Sequence, residues 1–220
     1  TGVLYAYFID PGENAVIPFT EGNGDYTVVG YQQIQGDQYA ALYSEILTVE
    51  LENDFFPFLY PNQYVNFSPD SEASKLALSM VSEDTTDVDA LKQIYNYVVN
   101  NLTYDYDKAE TVETGYLPDV DETLSTKTGI CFDYAALTTA MLRSCDIPCK
   151  LQIGYTGDIK HAWIDVYIRS KGWVTGAVSF NGDSWSLMDP TFDSSADSDD
   201  TEAIQDYIGN ADNYTVQFTR

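Results

Sequence analysis

Cys131, His161 and Asp189 have the residue types and the order needed for acyl transfer through sulfur. A thiol supplies the nucleophile. An imidazole supplies the base that takes and returns its proton, and a carboxylate orients that imidazole. His161 is the only histidine of the chain. Cys131 opens the run Cys131-Phe132-Asp133-Tyr134-Ala135-Ala136-Leu137, directly after Thr128-Gly129-Ile130. Tyr134, Leu137 and Met141 recur at helical spacing, flanked by Leu142, with Thr138 the polar member of that face. The pattern predicts a helix over residues 131–143, stopped by Asp146-Ile147-Pro148, because proline biases the residue before it out of the helical region. Cys131 then falls at a helix N-terminus. Unpaired N–H groups and the positive end of the macrodipole stabilise an anion there, so the thiol is expected to lose its proton early.

The partners sit on different elements. Lys160-His161-Ala162-Trp163-Ile164-Asp165-Val166-Tyr167-Ile168 reads as a strand, and Leu187-Met188-Asp189-Pro190-Thr191 as a short apolar run ending at a proline. Gly129-Ile130-Cys131-Phe132-Asp133-Tyr134-Ala135, His161-Ala162-Trp163 and Asp189-Pro190-Thr191, in that order, resemble the transglutaminase-like superfamily, in its bacterial secreted type. The resemblance covers roughly residues 88–193. It implies a papain/transglutaminase-like α+β core, a helix bearing the cysteine packed on an antiparallel sheet. It implies catalysis by Cys131, His161 and Asp189, with Trp163 a substrate-contact candidate and no cofactor or metal. The Cys131 N–H would help to stabilise the oxyanion, and Asn101 and Tyr104 are the upstream candidates for a second donor. The expected function is hydrolysis or acyl transfer on peptide or side-chain amides through a thioester. The rival is a non-catalytic binding or adaptor module that keeps the fold.

Other elements must bring these residues together. Residues 1–65 read as a small all-β, sandwich-like module, with strands at 3–9, 15–19, 26–34 and 38–51 separated by Gly, Asn and Asp turns. Residues 66–220 read as the α+β domain. The aromatic, proline-punctuated stretch 54–64 is expected to be a packed seam. One helix is capped near Ser71, and a second begins near Asp87 with Val88, Leu91, Ile94, Tyr95, Val98 and Leu102 at helical spacing. Residues 107–128 read as a long loop, either a packed surface loop or part of the substrate cleft with Tyr116 as a wall residue. After the cysteine helix come strands at 150–155 and 161–168, further strands around 173–174 and 185–188, and a closing strand at 214–219. The stretch 193–200 is acidic without the glycine and terminal glutamate of a calcium loop, and 202–208 is helix-like. On the 161–168 strand, Asp165 shares a face with His161, Trp163 and Tyr167, so if the cysteine helix covers that face Asp165 must lie beyond its edge or be paired.

Composition narrows the partners. Lys and Arg number 10 against 35 Asp and Glu, a formal net charge of −25. Such acidity argues against nucleic acid and against an anionic membrane surface, and favours neutral or cationic substrates. No apolar run is long enough to span a membrane. The chain opens in a strand-like run, which reads as a mature or trimmed start. A secreted or cell-surface protein is expected, with protein or peptide substrates that include cell-wall or extracellular ones. Cys145 and Cys149 flank Asp146-Ile147-Pro148. A disulfide between them is geometrically possible, and two free thiols are the default. The ligand pattern of a structural zinc site is incomplete.

Overall fold

The computed structural model describes residues 2–180, 185–187 and 214–220. The N-terminal third holds β1 (Gly24–Gln35), β2 (Gln38–Val49) and a 3₁₀ turn (Phe56–Phe58). Then come α1 (Glu72–Met80), α2 (Asp87–Asn101), β3 (Thr103–Tyr104), α3 (Tyr106–Thr111), α4 (Val120–Thr126) and β4 (Thr128–Gly129). Helix α5 (Cys131–Ser144) leads into β5 (Cys149–Thr156), β6 (Ile159–Ile168), β7 (Gly172–Phe180), β8 (Trp185–Leu187) and β9 (Tyr214–Thr219). Among the described residues no helix is long and apolar enough to cross a membrane.

Helix α5 is the axis of the fold. Every residue from Asp133 to Arg143 is buried. Helices α1, α2 and α4 pack against it, and so do β5, β6 and β7. The predicted stripe of Tyr134, Leu137 and Met141 is enclosed, and so are Ala135, Ala136 and Ala140, whose small side chains let neighbouring elements approach. Arg143 is buried near the end of this helix, with no carboxylate partner among the described residues. Its Nε and Nη2 donate to the Cys149 carbonyl at 3.0 and 2.8 Å, Nη1 to Tyr60 at 2.7 Å, and Nη2 also to Arg220 at 2.8 Å. Burial pulls its pKa down to about 10, which leaves it charged at neutral pH. The helix stops two residues before the proline signal requires, at Cys145 followed by Asp146 in the left-handed region (φ 57).

The main sheet has the order β8-β7-β6-β5-β9, and each neighbouring pair is antiparallel. Both faces of β6 are covered. Ala162, Ile164, Val166 and Ile168 join the core around α5. His161, Trp163 and Asp165, on the opposite face, are buried as well. Asp165 is paired: Gln152 Nε2 and the Gly176 N–H each donate to it at 2.8 Å. The cysteine helix therefore covers the apolar face of the strand, and Asp165 is satisfied on the other.

The N-terminal region departs from the expected module. Among the described residues, 2–23 carry no strand, although 3–9 and 15–19 have strand composition. Side chains satisfy this backbone instead of a ladder. The Gln63 amide accepts from the Phe8 N–H at 2.9 Å and donates to the Phe8 carbonyl, while the Tyr64 hydroxyl donates to the Ala6 carbonyl at 2.6 Å. The Tyr5 and Tyr7 rings lie 4.5 and 4.9 Å from the Arg220 guanidinium. A segment of β-favouring composition thus lies as a strap over the chain's last residues, held by side chains rather than by a ladder. Only β1 and β2 pair, as a two-stranded hairpin that leaves Tyr31, Ile34, Leu42 and Ile46 exposed. The sandwich expected over 1–65 is not found among the described residues.

Two other expectations changed in detail. The aromatic stretch 54–64 is a seam onto the main sheet, with Phe55 4.5 Å from Tyr167 and Phe58 5.4 Å from Trp173 between ring centroids. The segment 107–128 is not one loop but holds most of α3 and all of α4. Asp105 and Asp119 cap these helices, each accepting from backbone N–H groups of the first turn.

Candidate active site

The approach to Cys131 is held from both sides. Strand β3 pairs with β4 in parallel, Thr103 opposite Thr128 and Tyr104 opposite Gly129. The Thr103 N–H donates to Lys127 at 2.8 Å and the Asp105 N–H to Gly129 at 2.9 Å. Gly129 has no room for a side chain, since a Cβ there would lie 2.7 Å from the Asp133 Cβ. Asp133 reaches back and accepts the Ile130 N–H at 2.8 Å. This is half of a capping box, because Ile130 has no side-chain oxygen with which to reciprocate. The result is that α5 begins at Cys131 itself.

The Ala162 N–H, the Tyr104 hydroxyl and the Phe132 N–H lie close enough to the Cys131 thiol to favour its thiolate. The Ala162 N–H is available because the β6–β7 register runs from Ile168 only as far as Ile164. The Cys131 N–H in turn favours the ionised form of Tyr104, but burial outweighs it and raises that pKa to about 12. Asn101, the other oxyanion candidate, spends its amide on the Tyr97 carbonyl of its own helix at 2.8 Å. The expectation of a readily ionised thiol is overturned in its sign. Burial raises the Cys131 pKa by more than these hydrogen bonds lower it, and the nearby Asp133 charge raises it further.

His161 lies in β6, next in sequence to the Ala162 that touches the thiol. It is 8% exposed, and burial lowers its pKa to about 4. Its Nε2 is buried with no hydrogen-bond partner among the described residues. Its ring lies nearly parallel to Trp163, at 17° and 6.3 Å. Trp163 itself is 1% exposed and packs against Tyr214, with ring centroids 5.0 Å apart. It lies behind His161 as a support and lines no open wall. Strand β8 ends at Leu187, and Asp189 lies outside the described residues, as do 193–200 and 202–208.

Tyr116 precedes α4 and is partly buried. Its hydroxyl donates to Asp133, and Lys108 Nζ donates both to that hydroxyl and to Asp133, each at 2.7 Å. Burial and the Asp133 hydrogen bond push the Tyr116 pKa up to about 12, so the hydroxyl stays a donor. Lys108 and Asp133 were absent from the sequence-based site. Their signal was available in part. Asp105 three residues before Lys108 is a helix-cap spacing, and capping turns the apparent loop into a helix that presents Lys108.

All three cysteines are free. Cys149 is buried, its sulfur 3.5 Å from Thr139 Oγ1. Among the described residues no cluster of His, Cys, Asp or Glu could hold a metal ion.

A cysteine at a helix start, touching the strand that carries the histidine, agrees with a family match. Residues 74–176 match the model of the transglutaminase-like superfamily. The match covers just under half of the chain and supports membership of that superfamily. It is 24% identical over 183 residues to the uncharacterised protein YebA of Bacillus subtilis, covering 73% of this chain and 25% of YebA. It is 40% identical over 62 residues to the UPF0252 protein MJ1282 of Methanocaldococcus jannaschii, covering 26% of this chain and 18% of that protein. It thus spans a quarter or less of the length of these curated relatives. Among solved structures, a protein from Cytophaga hutchinsonii described as a candidate cysteine protease overlaps with a TM-score of 0.48 at 16% identity, over 89% of this chain and 69% of that one. A structure described as a TGase overlaps at 0.37 and 19% identity, over 46% and 28%.

Proposed function

We propose that this chain is a cysteine-dependent acyl-transfer enzyme acting on peptide or side-chain amides. The observation that carries the reading is the Cys131 thiol at the start of α5, beside the N–H of the residue that follows His161. In the proposed reaction His161 takes the thiol proton as sulfur attacks the amide carbonyl. The new S–C bond makes a tetrahedral oxyanion. Its collapse breaks the C–N bond, the amine leaves with the proton from His161, and a thioester remains on Cys131. Water or a second amine then resolves it. The Cys131 N–H serves the oxyanion, and Tyr104, whose hydroxyl lies on that N–H and on the thiol, is the proposed second donor. The unpartnered His161 Nε2 suits a carboxylate acceptor, the role proposed for Asp189. Tyr116 is the proposed rim of the cleft.

Substrate class follows from charge. A chain with a formal net charge of −25 favours neutral or cationic amide donors, such as extracellular or cell-wall peptides. A secreted or surface location is part of the same proposal. The adaptor reading has one observation in its favour. Burial disfavours the charged forms of both Cys131 and His161, so the pair rests uncharged.

The test is a search by mass spectrometry for an acyl adduct after incubation with peptide libraries rich in glutamine and lysine. A thioester mapped to Cys131 is expected, and hydroxylamine should release it. Turnover of the library with no adduct on Cys131, or with an adduct on Cys145, would remove the assignment. No turnover and no adduct would leave the adaptor reading in place.

A further inference from the structure

We propose that Lys108 and Asp133 form a charge pair that sets the reactivity of Cys131, with Tyr116 tied to the same pair. This inference rests on Cys131 being the nucleophile. The Asp133 side chain is wholly buried and stands two positions after the cysteine, while Lys108 is about one-third exposed and lies 2.7 Å from it.

Capping alone does not account for the pair. Asp133 closes the first turn of α5 by accepting the Ile130 N–H at 2.8 Å. An asparagine oxygen would accept that bond equally well. A buried charge is costly unless it is paired, so a capping role would favour the neutral residue. A carboxylate beside a thiol also opposes formation of the thiolate, and the Asp133 charge acts on Cys131 in that sense. Lys108 supplies the opposite charge from α3. Asp105 holds it there by accepting the Lys108 N–H at 2.9 Å. Burial works to lower the Lys108 pKa, but its hydrogen bonds to Asp133 and Tyr116 outweigh this and raise it, so it stays cationic across the working range.

The groups that act on the thiol are Tyr104 on β3, Asp133 on α5 and the N–H groups of Ala162 and Phe132, while Lys108 on α3 and Tyr116 before α4 reach Asp133. Two of them, Lys108 and Asp133, form the ion pair. Lys108 and Asp133 are therefore positioning residues with opposite effects. The lysine favours the reactive thiolate, and the aspartate on its own opposes it. Because Tyr116 bonds both, the cleft rim and the charge balance are set by the same contacts.

The test reads the alkylation rate of Cys131 against pH by peptide mapping, with iodoacetamide as probe and the full chain as protein. Lys108→Met should slow Cys131 near pH 7.5 by about tenfold, the effect of a one-unit shift in the thiol. Asp133→Asn keeps the acceptor for Ile130 and should speed the reaction by a similar factor. The double variant and Lys108→Arg should both lie near the native rate. Loss of packing would move both single variants in one direction, so a shared direction, or no shift in either, overturns the proposal. If Lys108→Met fails to fold, Asp133→Asn decides alone: acceleration supports the pair, and no change or slowing overturns it. The readout needs no substrate. Absence of turnover would sink the proposed function and leave this result standing, and the reverse also holds.

Discussion

The Cys131 thiol lies beside the N–H of Ala162, the residue that follows His161 in β6. Through this contact the start of α5 is docked on the strand that carries the imidazole. Burial at the docking point raises the thiol pKa and lowers that of His161 to about 4. Near neutral pH the pair therefore rests as thiol and neutral imidazole. In the proposed reaction the proton then moves during attack on the substrate rather than before it.

The single histidine makes that statement testable. The His161 ring signals should titrate by NMR with a midpoint near 4, well below the usual histidine value near 6.5. Stability follows with a definite sign. Between about pH 6.5 and 4 the unfolded chain holds a proton that the folded chain refuses, so stability falls as pH falls through that window. The loss is on the order of 3 kcal/mol. Denaturant unfolding at pH 7 and pH 4.5 should show it, and His161→Gln should flatten its share of the slope. An unfolding free energy with the same pH dependence in both proteins would contradict the buried neutral imidazole.

The three thiols should react in a fixed order. Burial raises all three, Cys145 to about 11 and Cys149 to about 12. Cys131 alone has Tyr104 and two backbone N–H groups to offset its burial, and it keeps part of its surface open. Peptide-mapped alkylation at pH 8 should modify Cys131 first and Cys145 next, and Cys149 only when urea unfolds the chain. Cys149→Ser should cost roughly 1–2 kcal/mol of stability, from a hydroxyl in a tight apolar site, and leave the Cys131 rate unchanged. Labelling of Cys149 in the native protein would mean that its burial has been misread.

The parts legible in the sequence were those with strong local periodicity. The α5 pattern, the Leu91, Ile94 and Val98 stripe of α2 and the alternation of β6 all became the elements they predict, because each buries the face its spacing marks. The closing strand at 214–219 formed as read. The failures have a common cause in partners distant along the chain. Residues 3–9 have strand composition, but Gln63, Tyr64 and Arg220 took the contacts a neighbouring strand would have made. Unpaired N–H groups and the helix dipole predict an easily ionised Cys131, while the burial that dominates its pKa comes from elements distant along the chain. The Asp133 network draws on α3, α5 and the segment before α4, and no local spacing reports such a convergence.

Two glycines should prove intolerant of alanine for different reasons. At Gly154 a Cβ would lie 2.0 Å from the Thr215 carbonyl oxygen and 3.0 Å from the Trp163 ring. Gly154→Ala must therefore push β9 off β5 or move the tryptophan behind His161. A cost of about 2–3 kcal/mol is expected, with early amide exchange in β9. At Gly129 the obstacle is Asp133, so Gly129→Ala should disturb the first turn of α5 and the Cys131 alkylation rate more than it disturbs global stability. Measuring unfolding and alkylation for both variants separates the two effects. Equal loss of stability with native Cys131 reactivity in Gly129→Ala would show that the turn does not depend on that clearance.

The proposed roles of Cys131, His161 and Asp189 differ in what their loss removes. Cys131→Ala should abolish turnover and adduct formation, because no other group can form the thioester. His161→Ala should lower turnover by about 10³-fold or more, since one member of a catalytic unit does little without the other. Asp189→Asn should cost less, because it leaves thiol and imidazole in place and disturbs tautomer and orientation. It should also leave the Cys131 alkylation rate closer to native than His161→Ala does, since alkylation by a small reagent needs less exact placement of the imidazole than amide cleavage. The measurement is turnover of a responsive amide together with alkylation for all three variants. A folded Asp189→Asn protein with native turnover would remove Asp189 from the site. Native turnover in Cys131→Ala would remove the thioester route altogether.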